Sequence, residues 1–157
     1  MKTDLSLKER IGIGAVSGFF GGIIFGLLLG PLGMLPEIAQ LINSGLSSVG
    51  FVVHMVISTL FGALFGFSTA GRFKSFNTGV GLGALYGVFW WLVGGLALMP
   101  LLLGFNVQFA NALEPRFILS LLGHLAYGVA TGFSLTAFTR YNLQSNSFNR
   151  AAATSNT

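Results

Sequence analysis

The chain has 157 residues and a mass of 16.6 kDa, and only 8% of its residues are charged while 53% are hydrophobic. Soluble domains carry about 25% charged residues, so this chain has too few polar side chains to cover a water-facing globule. The sequence contains no cysteine, which excludes disulfides, thiolate metal sites and thiol nucleophiles. With a mean hydropathy of +0.79, the composition predicts an all-α protein of the lipid bilayer.

Four windows between charged residues are each long enough for a membrane-spanning helix, which needs about 20 residues. The windows lie between Arg10 and Glu37, Glu37 and Arg72, Lys74 and Glu114, and Arg116 and Arg140. Within them we predict spans at residues 11–30, 49–70, 78–103 and 117–138. These spans make residues 1–140 a single four-helix transmembrane domain. The segment 141–157 is rich in Ser, Asn and Thr, which predicts a disordered cytoplasmic tail.

The basic residues are concentrated on one side of the predicted spans. Arg116 is the one basic residue on the other side, and the remaining seven are Lys2, Lys8, Arg10, Arg72, Lys74, Arg140 and Arg150. Because cytoplasmic loops carry an excess of Lys and Arg, we expect a multi-pass protein of the cell (inner) membrane with both termini in the cytoplasm. The same distribution accounts for the net charge of +4 without a nucleic-acid partner.

The two halves of the chain carry similar motifs. Gly12-Ile-Gly14-Ala15 recurs 69 residues later as Gly81-Leu-Gly83-Ala84, and so does Pro31 as Pro100. His54 and Gly62 recur 70 residues later as His124 and Gly132. We therefore predict two parallel helix-hairpin repeats, at about 11–70 and 78–138, related by a pseudo-two-fold axis along the membrane normal. The two histidines then lie at similar depth. The connectors, at 35–46 and 105–115, have apolar residues at helical spacing that predict short interfacial helices.

Small residues recur at every fourth position along the spans. Glycine lets helix backbones approach closely in lipid, so this glycine-zipper spacing predicts packing contacts at Gly14, Gly18, Gly22, Gly26, Gly62, Gly66, Gly83, Gly87, Gly128 and Gly132. Four such stripes offer more interface than one bundle needs. We therefore expect a homo-oligomer or a larger membrane complex.

His54 and His124 both lie on these stripes, and an ionisable residue within a span is a functional candidate. Three roles stay open for them: hydrogen bonds between helices, axial ligation of a haem or chlorophyll-type tetrapyrrole, and polar contacts in a small-solute channel. Trp90 and Trp91 lie at a similar depth and are weaker candidates for the same pocket. The sequence leaves open whether the histidines meet within one chain or across a dimer.

No catalytic set is recognisable in the sequence. The predicted spans contain no Asp, Glu or Cys, so a zinc or iron site would lack the three or four protein ligands that it needs. The glycine motifs also lack the spacing of a dinucleotide-binding loop. We expect a non-enzymatic accessory, assembly or oligomeric membrane subunit. The alternatives are a cofactor-binding subunit that uses His54 and His124 and a small-solute channel or facilitator.

The second half of the chain resembles a known group of proteins through short motifs: Gly81-Leu-Gly83-Ala84-Leu, Pro100, Leu122-Gly123-His124-Leu125 and Tyr127-Gly128. They are similar to small uncharacterised bacterial inner-membrane proteins of the YagU-like kind, which pair a Gly-Ala-rich helix with a later Gly-His-Leu helix. The resemblance implies a four-helix inner-membrane fold and a role for His124. It implies no reaction.

Overall fold

The four predicted spans are helical in the computed structural model, which describes residues 5–70 and 75–155 and the side chains as far as residue 145. The helices are α1 (Leu7–Leu29), α2 (Leu35–Ala39), α3 (Ser47–Thr69), α4 (Phe76–Trp90), α5 (Met99–Leu102) and α6 (Pro115–Ser155). A π-helical segment, Trp91–Leu98, joins α4 to α5. Four stretches are long and apolar enough to cross a membrane: Leu7–Leu29, Ser47–Thr69, Phe76–Leu102 and Pro115–Ser145. The described chain is therefore all-α, with the bounds of its first three spans close to those predicted.

Local sequence features account for the starts of two long helices. Ser6 caps α1, because its hydroxyl accepts the N–H of Glu9 while the Glu9 carboxylate accepts the N–H of Ser6 at 2.7 Å. This reciprocal pair is a capping box. The hydroxyl of Ser75 accepts the N–H of Thr78 at 3.2 Å and caps α4 in the same way.

The two connectors lie on the side of the bundle away from Ser6, which we call the connector side. Each connector starts near a glycine with positive φ, +67° at Gly33 and +83° at Gly104, a backbone conformation that favours glycine. The first connector contains α2 and a 3₁₀ turn at Gln40–Ile42, in line with the predicted short helix. In the described part of the second connector, the helical structure consists of a 3₁₀ turn at Phe109–Asn111. The helix that the apolar spacing predicted there is therefore shorter than expected.

Glycines bring the helices of each half close together. A Cβ atom added to Gly14 would lie 2.5 Å from the carbonyl oxygen of Gly62 in α3, and one added to Gly83 would lie 2.9 Å from the carbonyl carbon of Gly128 in α6. Real Cβ atoms do not come this close, so a side chain at these positions would push the helices apart. The ten predicted packing glycines all lie at such contacts between α1 and α3 or between α4 and α6: Gly14, Gly18, Gly22, Gly26, Gly62, Gly66, Gly83, Gly87, Gly128 and Gly132.

The small-residue stripes thus form packing contacts between helices of the same chain. The stripe of α1 lies against α3, and the stripe of α4 lies against α6. Among the described helical glycines, only Gly12 and Gly81 have open space where a Cβ atom would be. The surplus of small-residue interface that we expected for a second copy is therefore absent from the described helices, because the stripes pair with each other. Oligomerisation itself stays a prediction.

The two halves meet along α1 and α6 and across an aromatic layer between α3 and α4. The rings of Phe61 and Trp90 lie 3.7 Å apart between centroids, and those of Phe65 and Tyr86 lie 4.5 Å apart. The hydroxyl of Tyr86 donates to the carbonyl oxygen of Phe61 at 2.7 Å. We call these four residues the aromatic layer; large rings span a gap that the backbones of α3 and α4 leave open.

Helix α6 is longer than the predicted fourth span, which ended at residue 138. It continues to Ser155, so the segment for which the composition predicts disorder is helical as far as that residue. The physical reason is that no glycine or proline follows Gly132 to end the helix. Three of the charges used to predict topology, Lys2, Arg72 and Lys74, lie outside the described residues, as does the side chain of Arg150.

Candidate functional site

A cavity of about 710 Å³ lies in the half of the bundle next to the connectors. This volume falls in the range of about 300 to 1,000 Å³ that is usual for small-molecule pockets. Residues of α1, α3, α4, α6 and the π segment form its inner part: Phe25, His54, Ser58, Phe61, Trp90, Gly95, Ser120, His124 and Tyr127. Residues of the connectors and the start of α6 surround its outer part, among them Met34, Glu37, Ile38, Phe105, Gln108 and Arg116. The cavity therefore brings both predicted histidines into one chamber within one chain.

The wall contributed by α3 follows from helical spacing. His54, Ser58 and Phe61 lie four and three residues apart, which puts them on one face of the helix. Opposite this face, α1 has Gly22 and Gly26; a Cβ atom at Gly26 would lie 3.3 Å from the Cδ2 atom of His54. The glycines of α1 thus leave the room that the imidazole of His54 occupies.

The π-helical segment forms the facing wall, and Pro100 explains its position. A proline has no N–H, so in a regular α-helix the carbonyl four residues earlier, that of Leu96, would lose its partner. Here the carbonyl oxygen of Leu96 accepts the N–H of Gln108 in the second connector at 2.7 Å. The segment also contains Gly94 and Gly95, which line the cavity and leave space beside Ser120 and His124. π-Helical turns often occur at functional sites.

His54 is 5% exposed and is held from α1. Its Nε2 atom lies 2.9 Å from the carbonyl oxygen of Gly22, and the Ser58 hydroxyl lies 3.4 Å from the same nitrogen. A carbonyl oxygen can only accept, so Nε2 carries the proton. In the neutral imidazole the lone pair is then on Nδ1, which has no hydrogen-bond partner among the described residues.

His124 is fixed by its own helix instead of a neighbouring one. Its Nδ1 atom lies 2.8 Å from the carbonyl oxygen of Ser120, and the Ser120 hydroxyl lies 3.4 Å from the same nitrogen. The carbonyl again requires the proton to be on the bonded nitrogen, here Nδ1. The lone pair of His124 is therefore on Nε2, for which the described chain offers no hydrogen-bond donor.

The ring of Phe25 contacts both histidines. Its centroid is 5.1 Å from that of His54, with the planes at 89°, and 4.7 Å from that of His124, with the planes at 61°. The imidazole centroids are therefore no more than 9.8 Å apart, the sum of the two distances. Gly123 of α6 makes room for this ring, since a Cβ atom there would lie 2.9 Å from the Cζ atom of Phe25.

The aromatic layer closes the cavity on the side away from the connectors. Trp90 lines the cavity, and its Nε1 atom is buried without a hydrogen bond of normal geometry, next to the Tyr86 hydroxyl. Trp91 has a different role, because its Nε1–H donates to the carbonyl oxygen of Phe117 at 2.9 Å and it does not line the cavity. Of the two predicted tryptophans, the structure brings Trp90 to the histidines and uses Trp91 to anchor the π segment to α6.

An ion pair bridges the two connectors at the outer part of the cavity. The guanidinium of Arg116 at the start of α6 lies 2.9 Å from the carboxylate of Glu37 in α2 and contacts both of its oxygens. The two side chains are 54% and 42% exposed. A pair this exposed contributes little stability, but it joins segments 79 residues apart over the cavity.

The geometry bears on the cofactor and metal hypotheses. Within residues 5–70 and 75–155, no three His, Asp or Glu side chains gather as a metal ion would require. A tetrapyrrole ligated by both histidines would lie next to the Phe25 ring, which contacts both imidazoles. Tetrapyrrole ligation by His54 and His124 stays a prediction from the sequence.

Sequence reasoning missed Phe25, the ion pair of Glu37 with Arg116, and the pairing of Tyr127 with α3. The Tyr127 hydroxyl donates to the carbonyl oxygen of Ser58 at 2.8 Å. One available indication was the position of Gly123 beside His124, a small residue that could admit a ring from another helix.

The chain has no match among protein-family models, curated proteins or solved structures. The function must therefore be argued from the cavity itself.

Proposed function

We propose that this is a non-enzymatic, multi-pass integral membrane protein that binds a small, largely apolar molecule in the histidine-lined cavity and acts as an accessory or carrier subunit. The observation that carries the proposal is the cavity of about 710 Å³, lined by aromatic and aliphatic side chains with His54 and His124 in its inner part. A few directed polar groups in a mostly apolar chamber are typical of small-molecule sites. Apolar molecules concentrate in the bilayer, so the ligand reaches the site from lipid.

Charges at the ends of the described helices support the proposed topology. Lys8, Arg10 and Arg140 lie on the side away from the connectors, where the Arg10 guanidinium donates to the carbonyl oxygen of Phe67. On the connector side, Arg116 is paired with Glu37. Under the positive-inside rule, the termini are cytoplasmic and the cavity lies in the outer half of the membrane. For a bacterial protein this is the inner membrane.

Helix packing supports the proposal of two related halves and shows where they differ. Gly14 lies against Gly62 and Gly66, whereas its sequence counterpart Gly83 lies against Gly128 and Gly132. Since Gly132 is the counterpart of Gly62, the second crossing is displaced by one helical turn. The partners of the histidines differ as well: His54 bonds to a carbonyl on the neighbouring helix and His124 to one on its own helix.

The cavity gives less support to a channel. Its inner end is the closely packed pair of Phe61 and Trp90, with ring centroids 3.7 Å apart, and the Tyr86 hydroxyl donates to the backbone carbonyl of Phe61 beside it. A continuous path for a solute would require these rings to separate. Binding needs no such movement, so it is the function that the geometry favours.

The proposal is tested by filling the cavity. A Cβ atom at Gly95 would lie at van der Waals distance from His124 Cε1, 3.5 Å, and from Ser120 Oγ, 3.6 Å. The Gly95→Leu variant therefore keeps the backbone and places a side chain in the cavity. Gly81→Leu is the matched control, because it makes the same change in α4 where nothing lies within 4 Å.

The protein and both variants are purified from their native membrane in mild detergent, and bound small molecules are identified by native mass spectrometry. We expect one molecule per chain on the original protein and on Gly81→Leu, and none on Gly95→Leu. Equal occupancy of all three proteins, or a folded original protein with no bound molecule and no saturable uptake of bromobenzene, would contradict the proposal.

A further inference from the structure

We infer that the ligand carries a neutral hydroxyl group on an apolar body, and that His54 and His124 accept hydrogen bonds from such hydroxyl donors. This inference rests on the proposed function and specifies the chemistry of the same site. It follows from where the protons of the two imidazoles must be.

The backbone fixes the tautomer of each ring. His54 donates from Nε2 to the carbonyl oxygen of Gly22 at 2.9 Å, and His124 donates from Nδ1 to the carbonyl oxygen of Ser120 at 2.8 Å. These acceptors lie on different helices and engage different ring nitrogens. The result is nevertheless the same, because each ring is left with one lone pair and no donor to satisfy it within the described chain.

The two unpaired imidazole lone pairs favour a ligand that has a hydrogen-bond donor. The lone pairs of a carbonyl, ether or quinone oxygen would be repelled by those of the imidazoles, whereas an O–H group would donate a hydrogen bond to an imidazole nitrogen. An acceptor that faces an apolar cavity without a partner is costly, and a donor on the ligand recovers that cost. The preference for a donor therefore follows from the tautomers and does not depend on the rest of the ligand.

The surroundings select a neutral donor. The inner part of the cavity is formed by Phe25, Phe61, Trp90 and Tyr127, and the carboxylate of Glu37 lies at the outer end, already paired with Arg116. An ammonium group next to the histidines would be desolvated with no counter-charge beside it. Alcohols and phenols meet both requirements.

The test uses two probes, 4-bromophenol, which has a hydroxyl donor, and 4-bromoanisole, in which a methyl group replaces the hydroxyl hydrogen. Bromine quenches indole fluorescence, and Trp90 lines the cavity, so binding to the full chain in lipid nanodiscs is followed directly. The probe concentration is expressed per lipid, after measuring partition into empty nanodiscs. We expect saturable quenching by both probes, with the phenol bound about tenfold more tightly, a difference that one buried hydrogen bond supplies.

The histidines are then replaced one at a time by phenylalanine, which keeps a ring and removes the lone pair. The phenol donates one hydrogen bond, so in the single variant that removes its acceptor, and in the double variant His54→Phe, His124→Phe, we expect the preference for the phenol to fall to about twofold or less, whereas Gly81→Leu retains it. Circular dichroism and gel filtration establish that each variant is folded. If a variant does not fold, the ratio of the two probes on the original protein still decides.

The outcomes separate this inference from the proposed function. Saturable binding of both probes with equal affinity overturns the hydroxyl assignment and leaves the cavity as an apolar site, its imidazoles satisfied by water. Quenching that rises linearly with either probe and is unchanged in Gly95→Leu overturns ligand binding itself, and the inference with it.

Discussion

The imidazoles of His54 and His124 both contact the same side chain, since the ring centroid of Phe25 lies 5.1 Å from that of His54 and 4.7 Å from that of His124. The ring is 7% exposed and belongs to α1, which contacts both α3 of its own half and α6 of the other half. Phe25 therefore packs against a histidine from each half and forms part of the inner wall of the cavity.

Replacing Phe25 by Ala should destabilise the protein by about 3 kcal/mol, because burial of the ring is lost and a void is left beside the histidines. The free energy of unfolding is measured by titration with sodium dodecyl sulfate in mixed micelles. Phe19→Ala is the matched control in the same helix, since Phe19 is 45% exposed. A loss no larger for Phe25→Ala than for Phe19→Ala would show that the ring is not a packed wall.

Gly18→Ala should weaken the crossing of α1 with α3. The added Cβ atom would lie 2.9 Å from the backbone nitrogen of Gly62, and a backbone cannot yield as a flexible side chain does. We expect a loss of about 1 to 3 kcal/mol, as for other overpacked contacts. Gly12→Ala, on the same helix with nothing within 4 Å, should leave stability unchanged or raise it slightly through helix propensity. Similar melting temperatures for the two variants would contradict this account of the crossing.

The helices and their packing faces could be predicted from sequence, but the pairing of the faces could not. Charge-free windows locate the spans because a charge in lipid is costly, and glycine spacing marks the sides on which backbones approach. A stripe such as that through Gly14 and Gly18 does not specify its partner, however. We expected some small-residue stripes to be left for contact with a second copy of the chain. In the structure, the stripe of α1 packs against α3 and the stripe of α4 packs against α6.

The candidate site, too, could be predicted only in part from the sequence. His54 and His124 could be selected because they are the only two histidines and lie within apolar spans. Phe25 could not be selected, since it is one of 16 phenylalanines and its role depends on how α1 is rotated between α3 and α6. The conformation of the segment Trp91–Leu98 could not be predicted for a similar reason. Pro100 indicates that the carbonyl of Leu96 lacks a helical donor, but the actual donor, the N–H of Gln108, is known only from the folded chain.

The purified protein should be colourless. Because the Phe25 ring already packs against both imidazoles and the proposed ligand is a small apolar molecule, we expect no Soret band in an absorption spectrum from 350 to 750 nm, either oxidised or reduced with dithionite. The sample is prepared in mild detergent from the native membrane. A Soret band that disappears in the double variant His54→Ala, His124→Ala would support the tetrapyrrole hypothesis and contradict the proposed ligand.

The two ends of the bundle should differ in their accessibility to a membrane-impermeant maleimide. The chain has no cysteine, so single cysteines at Lys8 and Arg116 report without background. Both positions are exposed, on opposite sides of the helices. With cytoplasmic termini, Arg116→Cys should be labelled in intact spheroplasts, whereas Lys8→Cys should be labelled only after permeabilisation. The reverse pattern would place the cavity in the cytoplasmic half of the membrane, and its ligand would then reach it from the inner leaflet.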